Sequence, residues 1–151
     1  MAKKLFVFMT VLALFLSTTG MAISQDKAAD VVGPKVKAMV AEAKAAIKTV
    51  TPQAAKAALD SKEKAVFLDV RDPGEYAAGH LPGAINVSRG LLEFRVANSI
   101  NDLNAKIYVY CATAGRSTLA TKTLNDLGYK NAVLIDVQYA DWIKAGYPVE
   151  R

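Results

Sequence analysis

Short apolar runs alternate with helical patterns from residue 51 onward. Four runs of four or five mainly apolar residues are typical of strands buried in a sheet; they lie at 66–70, 84–87, 107–110 and 132–135. Helical spacing or helix-starting residues mark the segments around them, at 52–59, 91–96, 117–127 and 140–145. The run at 107–110 is apolar throughout, as expected for a parallel sheet covered on both faces. This alternation predicts an α/β fold with a mostly parallel sheet.

Individual residues indicate where the predicted helices begin, end and face inward. Thr51 and Pro52 form a typical N-cap and first-turn pair. Gly128 is expected to end the helix over 117–127 as its C′ residue. The positions of that helix that are predicted to face inward are Leu119, Ala120, Thr123, Leu124 and Leu127.

A further helix is predicted ahead of the domain, over residues 34–48. Pro34 suits the first turn of a helix. The apolar residues that follow recur on one face at helical spacing: Val36, Met39, Val40, Ala43 and Ile47. This face either packs on the domain or forms a dimer contact, and the lysines at the other positions are expected to be solvated.

The first residues have the three-part pattern of a secretory signal peptide. Lys3 and Lys4 precede a short apolar stretch, and the small residues Gly20 and Ala22 follow it. An uncleaved membrane anchor is the alternative, but the stretch is much shorter than the roughly 20 residues that a span needs. We therefore expect cleavage after Ala22. The resulting divisions are a signal peptide (1–22), a helical extension (23–50) and a domain (51–151).

Composition narrows the possible chemistry. The 151 residues are 52% hydrophobic and 22% charged, which excludes a disordered chain. The net charge falls from +5 to +3 without Lys3 and Lys4, and no basic segment interleaved with aromatics remains. A nucleic-acid partner is therefore not expected. A single Cys and a single His leave no intramolecular disulfide and few metal sites, so we expect no metal and no cofactor.

The one cysteine lies in a loop with the pattern of an anion cradle. Cys111 ends the apolar run and Ser117 begins the next helix, with only small residues and an arginine between them. Backbone N–H groups turned inward at a helix N-terminus bind anions and favour the thiolate form of a cysteine. The N–H groups of this cradle belong to Ala112, Thr113, Ala114, Gly115 and Ser117. Arg116 adds a guanidinium suited to an oxyanion.

The length of the loop indicates which anion it would hold. Four residues separate Cys111 from Arg116, whereas cysteine phosphatases have five, and Tyr110 stands where those enzymes have a histidine. The shorter loop disfavours a tetrahedral phosphate and leaves room for a persulfide on Cys111. The alternative is an inert cysteine at the end of a strand.

Three motifs in order resemble the rhodanese-type sulfurtransferases. They are the cysteine loop, the segments 67–76 and 79–86 with their Asp-Val-Arg and Gly-His-Leu-Pro-Gly sequences, and the stretch 121–149. The resemblance implies a sheet of about five mostly parallel strands with helices on both faces. It also implies transfer of sulfane sulfur from polysulfide or thiosulfate to cyanide or a thiol, through a persulfide on Cys111.

A narrower resemblance is to the exported polysulfide–sulfur transferases of sulfur-respiring bacteria. It is carried by residues 88–93 and by the Cys-x-Thr-Ala-x-Arg form of the loop. It implies a periplasmic homodimer with an extra N-terminal helix, in which Arg71, Arg89 and Arg116 surround the thiolate. Clustered arginines match the dianionic charge of polysulfide. The alternatives are an ion pair of Arg71 with a neighbour such as Asp72 or Glu75, and plain exposure of Arg89.

Two departures from the family bear on the substrate. Asp136-Val137-Gln138 replaces the usual Glu-Gly-Gly turn, so the turn either avoids a left-handed conformation or is strained. Ala112 stands where many members that use thiosulfate have a basic residue, which favours polysulfide. His80 is expected to be structural, tying its turn to the Asp-Val-Arg segment. Trp142 and Tyr147 are expected to pack, and Asp69 to cap a strand end.

The sequence therefore leads to a first hypothesis of an exported sulfurtransferase. The alternative is a non-enzymatic sulfur carrier that delivers sulfur to a membrane-bound respiratory enzyme. A small phosphatase or arsenate reductase is a third hypothesis, against which the loop length argues.

Overall fold

A computed structural model describes residues 22–61 and 64–151. The predicted signal peptide lies outside these residues except for Ala22, so its cleavage stays a prediction. The chain divides into two compact units, residues 1–35 and 36–151. Within the described ranges, no helix is both long enough and apolar enough to cross a membrane.

The N-terminal helix is longer than the prediction of 34–48. Helix α1 runs over Ala22–Ala45, so Pro34 lies inside it rather than at its start. Strong helix formers such as Gln25, Ala28 and Ala29 occupy the preceding turns, and their propensity extends the helix back to residue 22. The prediction erred because it treated a proline as a boundary, whereas an interior proline costs about 3 kcal/mol that its neighbours can offset.

The sheet has five parallel strands, which confirms the predicted class. They are β1 (Thr49–Val50), β2 (Val66–Asp69), β3 (Ile85–Asn86), β4 (Ile107–Tyr110) and β5 (Ala132–Ile135). Their spatial order is β1-β5-β4-β2-β3. The apolar pattern predicted all of them except β1, which has only two residues and therefore no pattern to detect.

Helices cover both faces of the sheet. They are α2 (Pro52–Asp60), α3 (Pro73–Ala78), α4 (Leu92–Ser99, after a 3₁₀ turn at Arg89–Leu91), α5 (Gly115–Asp126) and α6 (Tyr139–Lys144). Thr51 caps α2 as predicted, because its Oγ1 accepts from the N–H of Ala54 at 3.2 Å. Helix α3 was not predicted, although Asp72 and Glu75 form a capping box at its start.

Alternate residues of β4 supply the two halves of the core. Ile107 and Val109 pack on one face with Leu124 of α5, and Tyr108 and Tyr110 pack on the other with Trp142 of α6. This explains why the run 107–110 is apolar throughout. The carboxyl ends of the parallel strands meet at one edge, which is where open α/β sheets bind their ligands.

Of the five inward positions predicted for α5, Ala120 and Leu124 are buried, Leu119 and Thr123 are half-buried, and Leu127 was predicted wrongly. Leu124 is fully buried, but Leu127 is 45% exposed. The helix ends at Asp126, and Gly128 turns the chain with φ +105°. Tyr129, the next residue after this turn, is buried in the core instead. The positions of α5 that are fully or almost fully buried are Ser117, Thr118, Ala120, Thr121 and Leu124.

The two leucines of α5 provide a matched test of this packing. We expect Leu124→Ala to lower the free energy of unfolding by about 2–5 kcal/mol, because it leaves a cavity in a dry core. Leu127→Ala should lower it by less than about 1 kcal/mol, since its side chain is largely in solvent. Urea unfolding of both variants measures the difference. Equal losses would contradict the assignment of Leu127 to the surface.

Candidate functional site

Cys111 lies fully buried directly after β4, where α5 begins. The backbone N–H of Ser117 donates to its Sγ at 3.3 Å. The Sγ–H in turn donates to the Ser117 hydroxyl at 3.2 Å, and that hydroxyl donates to the carbonyl of Ala114 at 3.0 Å. The first turn of α5 therefore places an amide, a hydroxyl and the positive end of a helix dipole around one sulfur atom.

The turn between Cys111 and α5 depends on a left-handed alanine. Ala114 has φ 66° and ψ −20°, and among the described residues it is the one non-glycine with positive φ. Three donors hold its carbonyl: the N–H and the Oγ1–H of Thr118, at 2.9 and 2.8 Å, and the Ser117 hydroxyl. These bonds stabilise a conformation that costs an L-residue about 1–2 kcal/mol.

The other predicted cradle residues form the rest of this turn. Ala112 is half-buried, and its carbonyl accepts from the N–H of Tyr139 at 2.9 Å, which joins the loop to α6. Thr113 is exposed, and Gly115 is the first residue of α5. The bond from Ser117 to sulfur agrees with the predicted cradle, and binding by Ala112, Thr113, Ala114 and Gly115 stays a prediction.

Arg116 lies beside the cysteine loop, held by acidic residues of α3. Its Nη1 and Nη2 donate to the two carboxylate oxygens of Glu75 at 2.8 and 2.9 Å, and Asp72 lies 3.3 Å from Nη1. The hydrogen bonds to Glu75 raise the pKa of Arg116, with smaller contributions from the charges of Cys111 and Asp72. The same pair lowers the pKa of Glu75. The sequence predicted Arg116 beside the cysteine loop but not its partner Glu75, and binding of substrate by Arg116 stays a prediction.

Arg71 forms a buried ion pair, but with a different partner from those expected. Its Nε and Nη2 donate to the Asp69 carboxylate at 2.6 to 3.0 Å, and Nη2 also donates to the carbonyl of Gly79. Burial alone would lower the pKa of Arg71, but the bonds and charge of Asp69 outweigh it and raise the pKa. The Tyr139 ring centre lies 3.8 Å from the guanidinium carbon. Its predicted contact with substrate is untested.

Arg89 contacts α4 and α5 instead of standing free at the surface. Its Nη1 donates to Glu93 at 2.8 Å and its Nη2 to the Thr123 hydroxyl at 3.2 Å, while its buried Nε has no hydrogen-bond partner among the described residues. Thr123 lies on α5, beyond the turn that surrounds Cys111. In the part of the chain that the structure describes, the side-chain hydrogen bonds of Arg89 go to α4 and α5 and not to the cysteine loop, so its role at the site stays a prediction.

An open cleft of about 440 Å³ lies beside the cysteine loop. Its lining residues are Pro52, Thr113, Ala114, Asp136, Val137, Gln138 and Asp141. The turn at 136–138 therefore forms a wall of the cleft. None of its residues has a positive φ, so the turn avoids the left-handed conformation, which was one of the two predicted outcomes.

His80 is structural, as predicted, and its main partner is the C-terminal segment. Its backbone pairs with that of Glu150 through two bonds of 2.9 Å, and its ring stacks on Tyr76. The Asp-Val-Arg segment reaches the same turn through the bond from Arg71 to Gly79. Trp142 is fully buried, which confirms its predicted packing role. Within the described ranges, no cluster of His, Cys, Asp or Glu could hold a metal ion.

Substitution at Ala114 tests the strain in the loop. We expect Ala114→Gly to raise the free energy of unfolding by about 0.5–1 kcal/mol, because glycine adopts positive φ without a Cβ clash. Ala114→Val should lower it, since a branched side chain does not fit there. Gly115→Ala is the control, as a Cβ at that position meets no atom within 4 Å. Urea unfolding measures these changes. A loss of stability in Ala114→Gly would contradict the claim that the backbone of Ala114 is strained.

The pair of Glu75 with Arg116 predicts a pH dependence. Because the folded pKa of Glu75 is lowered, the pair's stabilisation is fully present above the unfolded value of about 4.3 and is lost as pH falls through the folded value. We expect the difference in Tm between the wild type and Glu75→Gln to be largest above about pH 5.5 and to shrink below about pH 4. A difference that stays constant over this range would refute the prediction.

Comparison with known proteins agrees with this geometry. Residues 51–145 match the family model described as a rhodanese-like domain. A thiosulfate sulfurtransferase of Pseudomonas putida is 34% identical over 92 residues, which is 61% of this chain and 81% of the relative. A Bacillus subtilis protein named provisionally as a sulfur carrier is 34% identical over 64% of this chain, which spans about half (51%) of that protein's length.

Solved structures show the same relationship. The polysulfide-sulfur transferase homodimer from Wolinella succinogenes is 31% identical, with a TM-score of 0.68 over 81% of this chain and 91% of that chain. The residues matched by the family model include the cysteine loop and strands β2 to β5. The chain belongs to the family of rhodanese-like domains.

Proposed function

We propose that this chain is a sulfurtransferase that carries sulfane sulfur on Cys111. The observation that carries the proposal is the bond from the Ser117 N–H to Cys111 Sγ at the N-terminus of α5, beside Arg116. A sulfur atom in this position is a nucleophile whose negative charge is stabilised by fixed dipoles. Members of the same family are named thiosulfate sulfurtransferases, which supports the reaction class.

In the first step the Cys111 thiolate attacks the sulfane sulfur of the donor. A Cys–S–S⁻ bond forms, and the bond between the sulfane sulfur and the rest of the donor breaks. Thiosulfate leaves as sulfite, and a polysulfide leaves as a dianion one sulfur shorter. The step itself needs no general base, because the deprotonated sulfur attacks directly and the leaving group is a stable anion.

In the second step a thiophilic acceptor takes the outer sulfur. Cyanide attacks the terminal sulfur of the persulfide, the S–S bond breaks, and thiocyanate leaves while the Cys111 thiolate is restored. A thiolate acceptor leaves as a persulfide by the same exchange of bonds. The N–H of Ser117 donates to Sγ, and in this proposal the other amides of the loop hold the terminal sulfur, which carries the negative charge of the persulfide.

The geometry disfavours a phosphatase. The loop leaves one backbone amide fewer than a phosphate cradle with five intervening residues would have. The fork of Arg116 is engaged by both oxygens of Glu75, whereas phosphate binding would need that fork for the substrate. A persulfide needs fewer donors than a phosphate, and the amide of Ser117 already donates to the sulfur of Cys111.

The biological setting extends the proposal. The N-terminal pattern supports export to the periplasm, where no cytosolic thiol pool competes for the persulfide. The polysulfide-sulfur transferase from Wolinella succinogenes is a homodimer, and we propose the same assembly here, with polysulfide as donor and a membrane-bound respiratory enzyme as acceptor. A non-enzymatic carrier remains the second candidate. The complete burial of Cys111 favours it, because access by a free acceptor is narrow.

Intact mass tests the proposal directly. We expect one sulfur atom to be added after incubation with polysulfide, less completely with thiosulfate, and to be removed by cyanide with release of thiocyanate. Cys111→Ser should gain no sulfur, and its far-UV circular dichroism should match the wild type.

The same samples separate an enzyme from a carrier. Thiocyanate in large molar excess over protein indicates turnover with a free acceptor. A single equivalent indicates a carrier that needs a protein partner. An unmodified mass with both donors would refute persulfide formation on Cys111.

A further inference from the structure

The N-terminal extension contributes an ion pair to the wall of the cleft beside Cys111. Lys44, in the last turn of α1, has its Nζ 2.8 Å from Oδ1 and 2.9 Å from Oδ2 of Asp136. Asp136 lines the cleft, together with Thr113 and Ala114 of the cysteine loop. The family match begins only at residue 51, so Lys44 lies outside it.

Resting on the proposed function, we propose that Lys44 is a specificity-determining residue for anionic sulfur donors. Its ammonium neutralises the Asp136 carboxylate, and this lets a dianion enter the cleft. Without Lys44, the carboxylate of Asp136 would repel an anionic donor. Its negative charge would add to that of Asp141, a second acidic residue that lines the cleft.

The backbone holds the two partners in place. Strand β1 pairs with β5, with Val50 opposite Ile135. The N–H of Asp136 donates to the carbonyl of Val50 at 3.0 Å, and the N–H of Leu134 donates to that of Lys48 at 3.0 Å. Strand β1, which follows α1, is therefore fastened to β5 and to Asp136, the residue directly after β5. This pairing brings the end of α1 and Asp136 close enough for the ion pair to form.

The pair contributes little to folding. The side chains of Lys44 and Asp136 are 45% and 44% exposed, and exposed ion pairs are weakly stabilising. A substitution at either residue should therefore change the charge of the cleft without unfolding the protein. One unit of charge acting on a dianion about 8 Å away in water-like surroundings changes its rate of entry about fivefold. The effect on a monoanion is about the square root of that, or roughly twofold.

The test compares Lys44→Met with Lys122→Met, using two donors of different charge. Lys122 forms an ion pair with Asp126 on α5, and its side chain is similarly exposed at 41%. Lys122→Met therefore changes the net charge by the same amount as Lys44→Met, but at a site outside the cleft lining. The donors are thiosulfate, a dianion, and methanethiosulfonate, a monoanion that leaves as methanesulfinate. The rate constant for persulfide formation at low donor concentration and low salt is followed by intact mass.

We expect Lys44→Met to lower the rate constant about fivefold with thiosulfate and about twofold with methanethiosulfonate. Lys122→Met should leave both rates nearly unchanged. Asp136→Asn, which exposes the ammonium of Lys44, should raise the thiosulfate rate by a similar factor. The double variant should return to the wild-type rate, and about 0.5 M salt should remove the differences.

Other outcomes overturn the inference. Equal losses in Lys44→Met and Lys122→Met would show an effect of net charge rather than of the cleft. Equal losses with both donors, or a loss in Asp136→Asn, would show a structural effect. A wild-type protein that takes up no sulfur would instead refute the proposed function, so the two failures are distinguishable.

Discussion

The structure depends on one hydrogen bond, from the Ser117 N–H to Cys111 Sγ. For that bond to form, β4 must end at the cysteine and α5 must begin only four residues later. The chain can turn so tightly only if one residue enters the left-handed region, and that residue is Ala114. The bonds that Ser117 and Thr118 give to the Ala114 carbonyl hold the turn. A strained loop is kept because it delivers a helix N-terminus to a buried sulfur.

The surroundings of the loop are fixed by a second element, the buried pair of Asp69 and Arg71. Asp69 is the last residue of β2, next to β4 in the sheet and directly opposite Tyr110. Arg71 connects that strand end to Gly79 through a hydrogen bond and lies against the Tyr139 ring. The backbone N–H of Tyr139 in turn donates to the carbonyl of Ala112. A charge that would be costly to bury alone is stabilised by several partners, and these partners belong to the segments that surround Cys111.

The sequence predicted the fold class and the cysteine loop because both depend on local pattern. The run 107–110 has a continuous apolar signature that only a covered sheet produces, and Cys111 follows it directly. Features that depend on tertiary contacts were missed. Strand β1 is too short for any periodicity and exists because β5 offers it an edge. The start of α1 was misplaced because proline is a weak boundary among strong helix formers.

Ion pairs could not be assigned from the sequence for a related reason. Arg71 has acidic neighbours at 69, 72 and 75, and only the fold determines that Asp69 is its partner while Glu75 binds Arg116. Pairs between residues distant in sequence, such as Lys44 with Asp136, have no local signature at all. Candidate arginines can thus be located by motif, but whether their charge is free for a substrate is a property of the folded molecule.

The charges around the loop determine what kind of cradle it is. Arg116 is held by Glu75, and Lys44 by Asp136, so each of these two basic side chains is neutralised by a carboxylate. What is not cancelled is the field of the α5 N-terminus, because backbone dipoles have no counterion. An anionic sulfur on Cys111 is then stabilised mainly by the backbone, which is the same before and after sulfur is transferred. In our proposal, the pair of Lys44 with Asp136 controls which charged donors enter the cleft. Binding the persulfide and selecting the donor are therefore separate tasks, carried by different atoms of the site.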